Sequence, residues 1–452
     1  MSDIDTIVAI ATAPGRGAVG IVRVSGPAAA DIAVALTGSL PPPRRARLAR
    51  FKDAADEPID EGLALYFPAP HTYTGEAVLE LQGHGGPVVL DLLMRRIVEL
   101  GARPARAGEF SERAFLNGRI DVAQAEGIAD LIDAASSAAA RAAARSMRGE
   151  LSARVHGLQA ELTALRVRVE AAIDFPEEDV PLLDDATIVA GLERLREAYA
   201  TLRVETERGV RLTEGFTVVL AGKPNAGKSS LMNRLAGDEV AIVTPEPGTT
   251  RDLLRHQVLE GGIPLHLIDT AGLRAAQDPA EAEGVRRARQ AMAQADLLLY
   301  VIDAASAEPM DARTIAEQAE DVAPGVPVTV VLNKIDLPGA QANAAGAAAV
   351  NRVALSARTG EGLAALRAHL RHRAGEHPTD ASALTARRRH LVALERAHAH
   401  FEQAESLLRA AGEAELIAEE LRLAQSALGE ITGEFGSDDL LGEIFRSFCI
   451  GK

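Results

Sequence analysis

Two hydrophobic rhythms divide this chain. In its first hundred positions apolar residues come in short β-branched runs, DTIVAIAT, GAVGIVRVSG, LALYF and AVLELQG, broken by Gly15, Gly17 and Gly20 and by the turn-like PAPHTYTGE. These predict strands. VVLDLLMRRIVELG shifts to helical spacing and stops at Gly101. From about 119 the texture changes. DVAQAEGIADLIDAASSAAARAAARSMRGELSARVHGLQAELTALRVRVEAAIDF is nearly free of Gly and Pro and rich in Ala, Leu, Glu and Arg, which predicts helix as far as Pro176 and Pro181. Further helical runs cover about 186–212, 384–411 and 413–432. Between them lie GFTVVLAG, PLHLIDT, LLLYVIDA, VPVTVVLNK and RVALSA, short apolar strands separated by helical stretches. That is the rhythm of a mostly parallel sheet in an α/β domain.

The pattern predicts an α+β domain over 1–118, a helical domain in two parts (119–213 and 377–452), and an α/β domain inserted over 214–376. Two separate helical domains are the alternative. A chain of 452 residues accommodates this at roughly 100–200 residues per domain. Apolar residues make up 47% and aromatics 3%, with no Trp, so aliphatic side chains fill the core. A net charge of -16 argues against non-specific coating of nucleic acid. Local basic patches remain possible at PPPRRARLARFK (41–52) and among the arginines from Arg95 to Arg119, with a solvated face as the plainer reading. One cysteine, Cys449, allows no internal disulfide. No basic leader and no run of ~18 apolar residues is present, so a cytoplasmic protein without a membrane span is expected.

The chemistry concentrates in the α/β segment. TVVLAGKPNAGKSS places Gly222, Gly227, Lys228 and Ser229 in the phosphate-loop pattern, after a strand and before a helix. Asn225, Ala226, Gly227, Lys228, Ser229 and Ser230 would surround the phosphates: backbone N–H groups point inward, Lys228 reaches the outer phosphates, and the Ser229 hydroxyl binds Mg²⁺. NKID follows the strand VPVTVVL, and Asp336 can accept from guanine N1–H and N2–H₂, a pattern adenine does not offer. Asn333 would steady the loop and the Lys334 stem would lie over the ring. Ser356, Ala357 and Arg358 would meet O6 through backbone N–H. Thr249 and Thr250 sit in GTTRD, with Thr250 as the second hydroxyl for Mg²⁺. Asp269, Thr270, Ala271 and Gly272 form the loop that senses the third phosphate. Leu273 follows, where small signalling GTPases carry a water-positioning glutamine.

PNAGKSSLMN, TPEPGTTRD, DTAGLR, NKID and SARTG, together with GRGAVGIVRVSGP near the start and FCIGK at the end, resemble the family of tRNA-modifying GTPases that act on the wobble uridine with a flavoprotein partner. The likeness spans essentially the whole chain, and the end motifs are its more specific part. It implies a potassium ion, held by Asn225 and by the loop over 244–249 with Thr244, Glu246 and Thr249, in place of an arginine finger. It implies Glu281 as the water-positioning acid, with Glu283 as competitor, and GTPase domains that meet when GTP and potassium are bound.

For the ends, the resemblance implies a reduced folate (5-formyl- or methylene-tetrahydrofolate) near Arg23, Glu80, Arg119 and Lys452; at position 119 relatives often carry Lys instead of Arg. Tyr66, Phe67 and Tyr73 are the few rings for stacking. Cys449 is either a packed residue or a nucleophile of the modification reaction. A homodimer, a heterotetramer or larger with an FAD-dependent flavoprotein, and tRNA as substrate are implied. The function expected is potassium-dependent GTP hydrolysis serving carboxymethylaminomethylation of C5 of uridine 34. A ribosome-assembly GTPase switch is the alternative.

Overall fold

The structure, a computed structural model, describes residues 5–174, 186–237, 255–269, 295–305, 325–338, 340, 352–375, 383–410, 413–434, 438–446, 448 and 451. The chain divides into two compact units, one of Met1–Ala129, Met147–Leu195 and Ala393–Lys452, the other of Asp130–Ser146 and Arg196–Val392.

In the first unit β1 (Ile7–Ile10), β2 (Gly17–Ser25), β3 (Arg47–Lys52), β4 (Pro58–Phe67), β5 (Val78–Gly85) and β6 (Arg103–Pro104) form one sheet in the order β3-β4-β5-β2-β1-β6. Alternation decides its faces. Val22 and Val24 of β2 and Leu79 and Leu81 of β5 are buried against Ile32 and Leu36 of α1 (Ala29–Thr37) and Leu90, Leu93 and Ile97 of α2 (Pro87–Glu99). Because side chains point to opposite faces at period two, Arg23 and Glu80 fall on the other face, where the register sets them side by side. The segment considered for a basic patch at 41–52 contains β3, with Ala49 and Phe51 buried and Arg50 paired with Glu61.

The second patch considered, from Arg95 to Arg119, is an ion-pair network from Arg95 to Arg113, with Arg119 exposed beyond it. Glu109 opens α3 (Glu109–Leu116) with only 2% of its surface exposed. It accepts from Arg103 Nη1 at 2.9 Å, Arg113 Nη2 at 3.2 Å and the Arg106 backbone N–H at 2.8 Å. Asp5 and Glu76 take further bonds from Arg103 and Arg113. Arg95, Arg96 and Arg106 pair with Asp91, Glu99 and Glu112. A like-signed surface would repel itself; alternating charge on neighbouring elements cross-links them instead.

The long helical run predicted from 119 is three helices, α4 (Val122–Asp133), α5 (Ser137–Met147) and α6 (Glu150–Asp174). The first break has a visible cause: Ser136 Oγ accepts the Ala139 N–H at 3.1 Å, a helix cap that starts α5 anew. α7 covers Ala186–Glu214. The run expected to begin at 384 starts later, as α10 (Arg388–Arg409), because the Thr385 N–H at 3.0 Å and carbonyl at 3.1 Å are both taken by the Ser146 hydroxyl outside any helix. In the first unit α6 packs along α11 (Ala414–Thr432). Leu151, Val155, Leu158, Leu162, Leu165 and Val169 on one and Ile417, Leu421, Ala424, Leu428 and Ile431 on the other are buried at alternating steps of four and three, a coiled-coil-like seam. α12 (Asp438–Arg446) carries Phe445 into a small core with Val122, Ala125 and Phe448.

The second unit holds β7 (Phe216–Ala221), β8 (Arg255–Glu260), β9 (Ile263–Asp269), β10 (Leu297–Asp303), β11 (Val328–Asn333) and β12 (Arg352–Ala354), in the order β12-β11-β10-β7-β9-β8. All pairs are parallel except β8 with β9. Its central strands are buried on both faces, which is why they read as unbroken apolar runs. α8 (Lys228–Gly237) and α9 (Leu363–Ala374) cover one face. Strand β8 went unrecognised in the sequence because its inward positions include the charged Glu260. Arg367 at 2.7 Å and Arg371 at 3.4 Å neutralise that carboxylate. Among the described residues no helix is long and apolar enough to cross a membrane.

The Glu109 network sets a pH dependence. Burial alone would raise the Glu109 pKa, but the bonds from Arg103, the Arg106 N–H and Arg113 hold it down to about 2, against an ordinary 4.5. A depressed folded-state pKa contributes stability that is whole above the ordinary value and lost as pH falls through 4.5 towards 2. Glu109→Gln is expected to destabilise the chain at neutral pH by on the order of 3 kcal/mol. The gap from the unaltered protein, read by denaturant titration, is expected to close over that acid window.

Candidate functional site

At the carboxyl ends of the parallel strands, the loop between β7 and α8 wraps back on itself. Gly222 lies at φ +136 against Val301, where a Cβ would come within 2.1 Å of its carbonyl oxygen, so only glycine fits. Asn225 takes the left-handed φ of +64 that asparagine tolerates better than most residues. Helix α8 begins directly at Lys228, so the unpaired N–H groups of its first turn and its positive end face the loop. The buried Lys228 ammonium folds over that loop, donating to the carbonyls of Gly222 at 2.9 Å and Lys223 at 3.1 Å. One residue on, Ser229 Oγ donates to Asp269 Oδ2 at 2.9 Å. Hydroxyl and carboxylate, predicted from distant motifs, therefore converge on one point beside the loop. Two hard oxygen donors so placed fit Mg²⁺.

The second loop cluster is tied to the first by one side chain. Asn333, buried at the end of β11, donates from Nδ2 to the carbonyl of Ala226 at 2.8 Å and accepts the N–H of Ala357 at Oδ1, 2.9 Å. The Ala357 N–H, expected to face a base, is thus engaged by Asn333 here. Asp336 accepts from Ser356 Oγ at 2.5 Å through Oδ1 and from Arg358 at 2.6 Å through Oδ2. The Ser356 bond, with help from a backbone N–H and Arg358, outweighs burial and keeps this carboxyl below its ordinary range. Asp336 is therefore ionised at neutral pH, an acceptor on both oxygens. Lys334 stands at φ +67 with its ammonium 2.6 Å from Asp303 Oδ2. Sequence reasoning passed over Asp303. Its signal was an acid closing the otherwise apolar run LLLYVID at the sheet's carboxyl edge.

In the other unit, on the sheet face away from α1 and α2, Arg23 Nε donates to Glu80 Oε1 at 2.9 Å. The guanidinium lies 5.9 Å from the centroid of Phe110, a ring overlooked in the sequence. Its Nη1 reaches the carbonyl of Gly451 at 3.4 Å. The C-terminal tail therefore docks beside Arg23, with Gly451 buried at φ +97 against Ile10 and Ala11. Of the rings considered for stacking, Tyr73 bonds Ser111 through its hydroxyl at 2.7 Å and Phe67 lies under Arg44 at 5.9 Å, while Tyr66 is half-buried on β4. Arg119 is exposed just beyond α3 and bonds neither Arg23 nor Glu80. Thr244, Glu246, Thr249, Thr250, Thr270, Ala271, Gly272, Glu281, Cys449 and Lys452 lie outside the described residues.

Comparison with known proteins covers both units. A family model described as the MnmE helical domain matches residues 122–449, and one described as GTP-binding protein TrmE N-terminus matches 6–119. The tRNA modification GTPase MnmE of Stutzerimonas stutzeri (strain A1501) is 55% identical over 453 residues, covering 99% of this chain and 99% of that protein. Its namesake from Methylococcus capsulatus (strain ATCC 33009 / NCIMB 11132 / Bath) is 54% identical over 450 residues, covering 100% of this chain and 99% of its own length. That of Thiobacillus denitrificans (strain ATCC 25259 / T1) is 54% identical over 448 residues, covering 99% and 98%.

The tail contact is testable at Gly451. A Cβ there would stand 2.4 Å from the Ile10 carbonyl oxygen at a φ that side chains disfavour. Strain of roughly 1–3 kcal/mol is expected to undock the tail in Gly451→Ala. Hydrogen exchange at residues 10–11 and 448–451 should then accelerate by about tenfold or more. Unchanged protection would mean that the tail is held by other contacts.

Proposed function

This chain belongs to the tRNA modification GTPase MnmE family, and from that premise we propose that it is a potassium-dependent GTP hydrolase acting, with an FAD-dependent flavoprotein partner, in carboxymethylaminomethylation of C5 of uridine 34 in certain tRNAs. The observation that carries the hydrolase reading is the joining of two half-sites. Ser229 and Asp269 meet beside a phosphate-type loop, and Asn333 ties that same loop to the segment holding an ionised Asp336.

GTP enters with its phosphates against the N–H groups of 225–230 and the start of α8. Lys228 exchanges its loop carbonyls for the outer phosphate oxygens. Asp336 releases Arg358 and Ser356 and accepts from guanine N1–H and N2–H₂, so an adenine nucleotide would leave this acid unpaired. Ser229, with Thr250 and with Asp269 through water, would hold Mg²⁺. The carboxamide oxygen of Asn225, a neutral hard donor, together with Thr244, Glu246 and Thr249, would hold K⁺. These ions, when bound, offset the negative charge that develops during phosphoryl transfer. Leu273 cannot hydrogen-bond water, so the task of orienting the nucleophile falls to Glu281, acting through a second water. Thr270, Ala271 and Gly272 sense the third phosphate.

The modification reading assigns the other unit a reduced folate as one-carbon donor, held by Arg23, Glu80, Arg119 and Lys452 near Cys449. Arg23 grips one oxygen of Glu80, and among the described residues Glu80 Oε2 takes no bond, which suits an acceptor for an aminopyrimidine edge. The docking of the tail beside this pair supports a site shared by both chain ends. The protein would work as a cytoplasmic homodimer, in a heterotetramer or larger assembly with the flavoprotein.

GTP turnover is expected to be at least about tenfold faster in potassium than in sodium at equal ionic strength. Equal and slow rates in both salts would overturn the cation-assisted mechanism. Asp336→Asn exchanges an acceptor for a donor where the guanine 2-amino group sits, so the variant should favour xanthosine over guanosine triphosphate by about 100-fold relative to the unaltered chain, measured as kcat/KM.

A further inference from the structure

Asp303 closes β10 in register with Asn333, the first residue of the base-loop motif. Its carboxylate is divided between two tasks. Oδ1 accepts the N–H of Ala305 at 3.0 Å, which fixes the turn leaving the strand. Oδ2 accepts the Lys334 ammonium at 2.6 Å. The Ala304 N–H donates to the Asn333 carbonyl at 2.8 Å, so the two strand ends are bonded by backbone as well. Lys334 itself occupies φ +67, where a residue with a Cβ persists only if its surroundings enforce it. Both partners keep close to a third of their side-chain surface exposed, 31% for Lys334 and 29% for Asp303, so the pair is a weak prop for the fold.

The pair does fix a lysine stem at both ends. The Cα is held by the loop and the Nζ by Asp303, which leaves the four methylenes between them fewer rotamers, two residues before Asp336. An apolar stem held in this way offers a surface to the face of a planar base while Asp336 reads its edge. If the stem were free, the cost of ordering it would fall on nucleotide binding. We propose that Asp303 is a positioning residue of the nucleotide site, preorganising the Lys334 stem on which the guanine ring is seated, and that it sets nucleotide affinity without setting turnover. The proposal rests on the reading of Asn333, Lys334 and Asp336 as the guanine site.

The test uses the full chain and calorimetric titration with GDP and with inosine diphosphate, which lacks the 2-amino group. In Asp303→Asn the carboxamide oxygen still caps the turn, and thermal melting should match the unaltered protein. Its GDP dissociation constant is expected to rise about five- to tenfold, with KM for GTP rising in step and kcat staying within about twofold. The ratio of GDP to inosine diphosphate affinity should stay unchanged, because Asp336 still reads the base edge. Lys334→Ala should lose at least as much affinity, and adding Asp303→Asn to it should lose no more. Asp303→Glu, which restores a carboxylate, should recover part of the loss. Unaltered GDP binding in Asp303→Asn, additive losses in the double variant, or a changed ratio between the two nucleotides would each overturn the proposal. Failure of the unaltered chain to bind GDP is a separate result, which would overturn the reading of the site itself and the proposal with it.

Discussion

The nucleotide unit depends on one buried carboxamide. Asn333 is the only described side chain seen to bond both the phosphate-type loop, at the Ala226 carbonyl, and the base-loop segment, at the Ala357 N–H. An amide suits this place because it offers a donor and an acceptor a short distance apart without carrying charge into the interior. Removing it would strand two buried backbone groups, each costing roughly 1–3 kcal/mol. The phosphate-type loop and the base-loop segment are thereby tied together along the carboxyl edge of a parallel sheet. That edge is where such sheets leave a crevice for ligands.

Around that bridge the charged groups are arranged as exchangeable pairs. Lys228 rests on loop carbonyls, Ser229 on Asp269, and Asp336 on Ser356 and Arg358. Each bond satisfies a buried or half-buried polar group, and in the proposed function a phosphate, a cation or a base would replace its present partner. The N-terminal unit uses a comparable arrangement. Arg23 lies on one oxygen of Glu80 and reaches the tail at Gly451. Glu109, by contrast, is wholly engaged by arginines and a backbone N–H, and its role is to hold α3 to the sheet edge.

Much of the fold is legible in the sequence for physical reasons that can be named. Strands buried on both faces need unbroken apolar runs, so β7, β9, β10 and β11 stand out. Strands buried on one face need alternation, so Arg23 and Glu80 separate from their apolar neighbours. The phosphate-loop glycine Gly222 is readable because no other residue fits against the Val301 carbonyl. What escaped has causes as definite. β8 hides behind Glu260, whose charge is cancelled by arginines more than a hundred positions away. The break before α5 depends on whether Ser136 turns its hydroxyl to cap a helix, a choice that composition does not reveal. The arginines after Arg95 leave a basic patch and a solvated face both open until their carboxylate partners are known.

The sequence alone therefore determined most of the element types, the α/β rhythm of the nucleotide unit, the identity of the loop residues and the family resemblance, because these follow from local periodicity and from short spacings along the chain. Only the tertiary structure decided that Ser229 meets Asp269, that Asn333 joins two loops, that Lys334 is held by Asp303, and that Gly451 lies beside Arg23. Each of these pairs residues distant in sequence. Their meeting is set by sheet register and packing, whose free energy is spread over the whole core and leaves no mark at any one position.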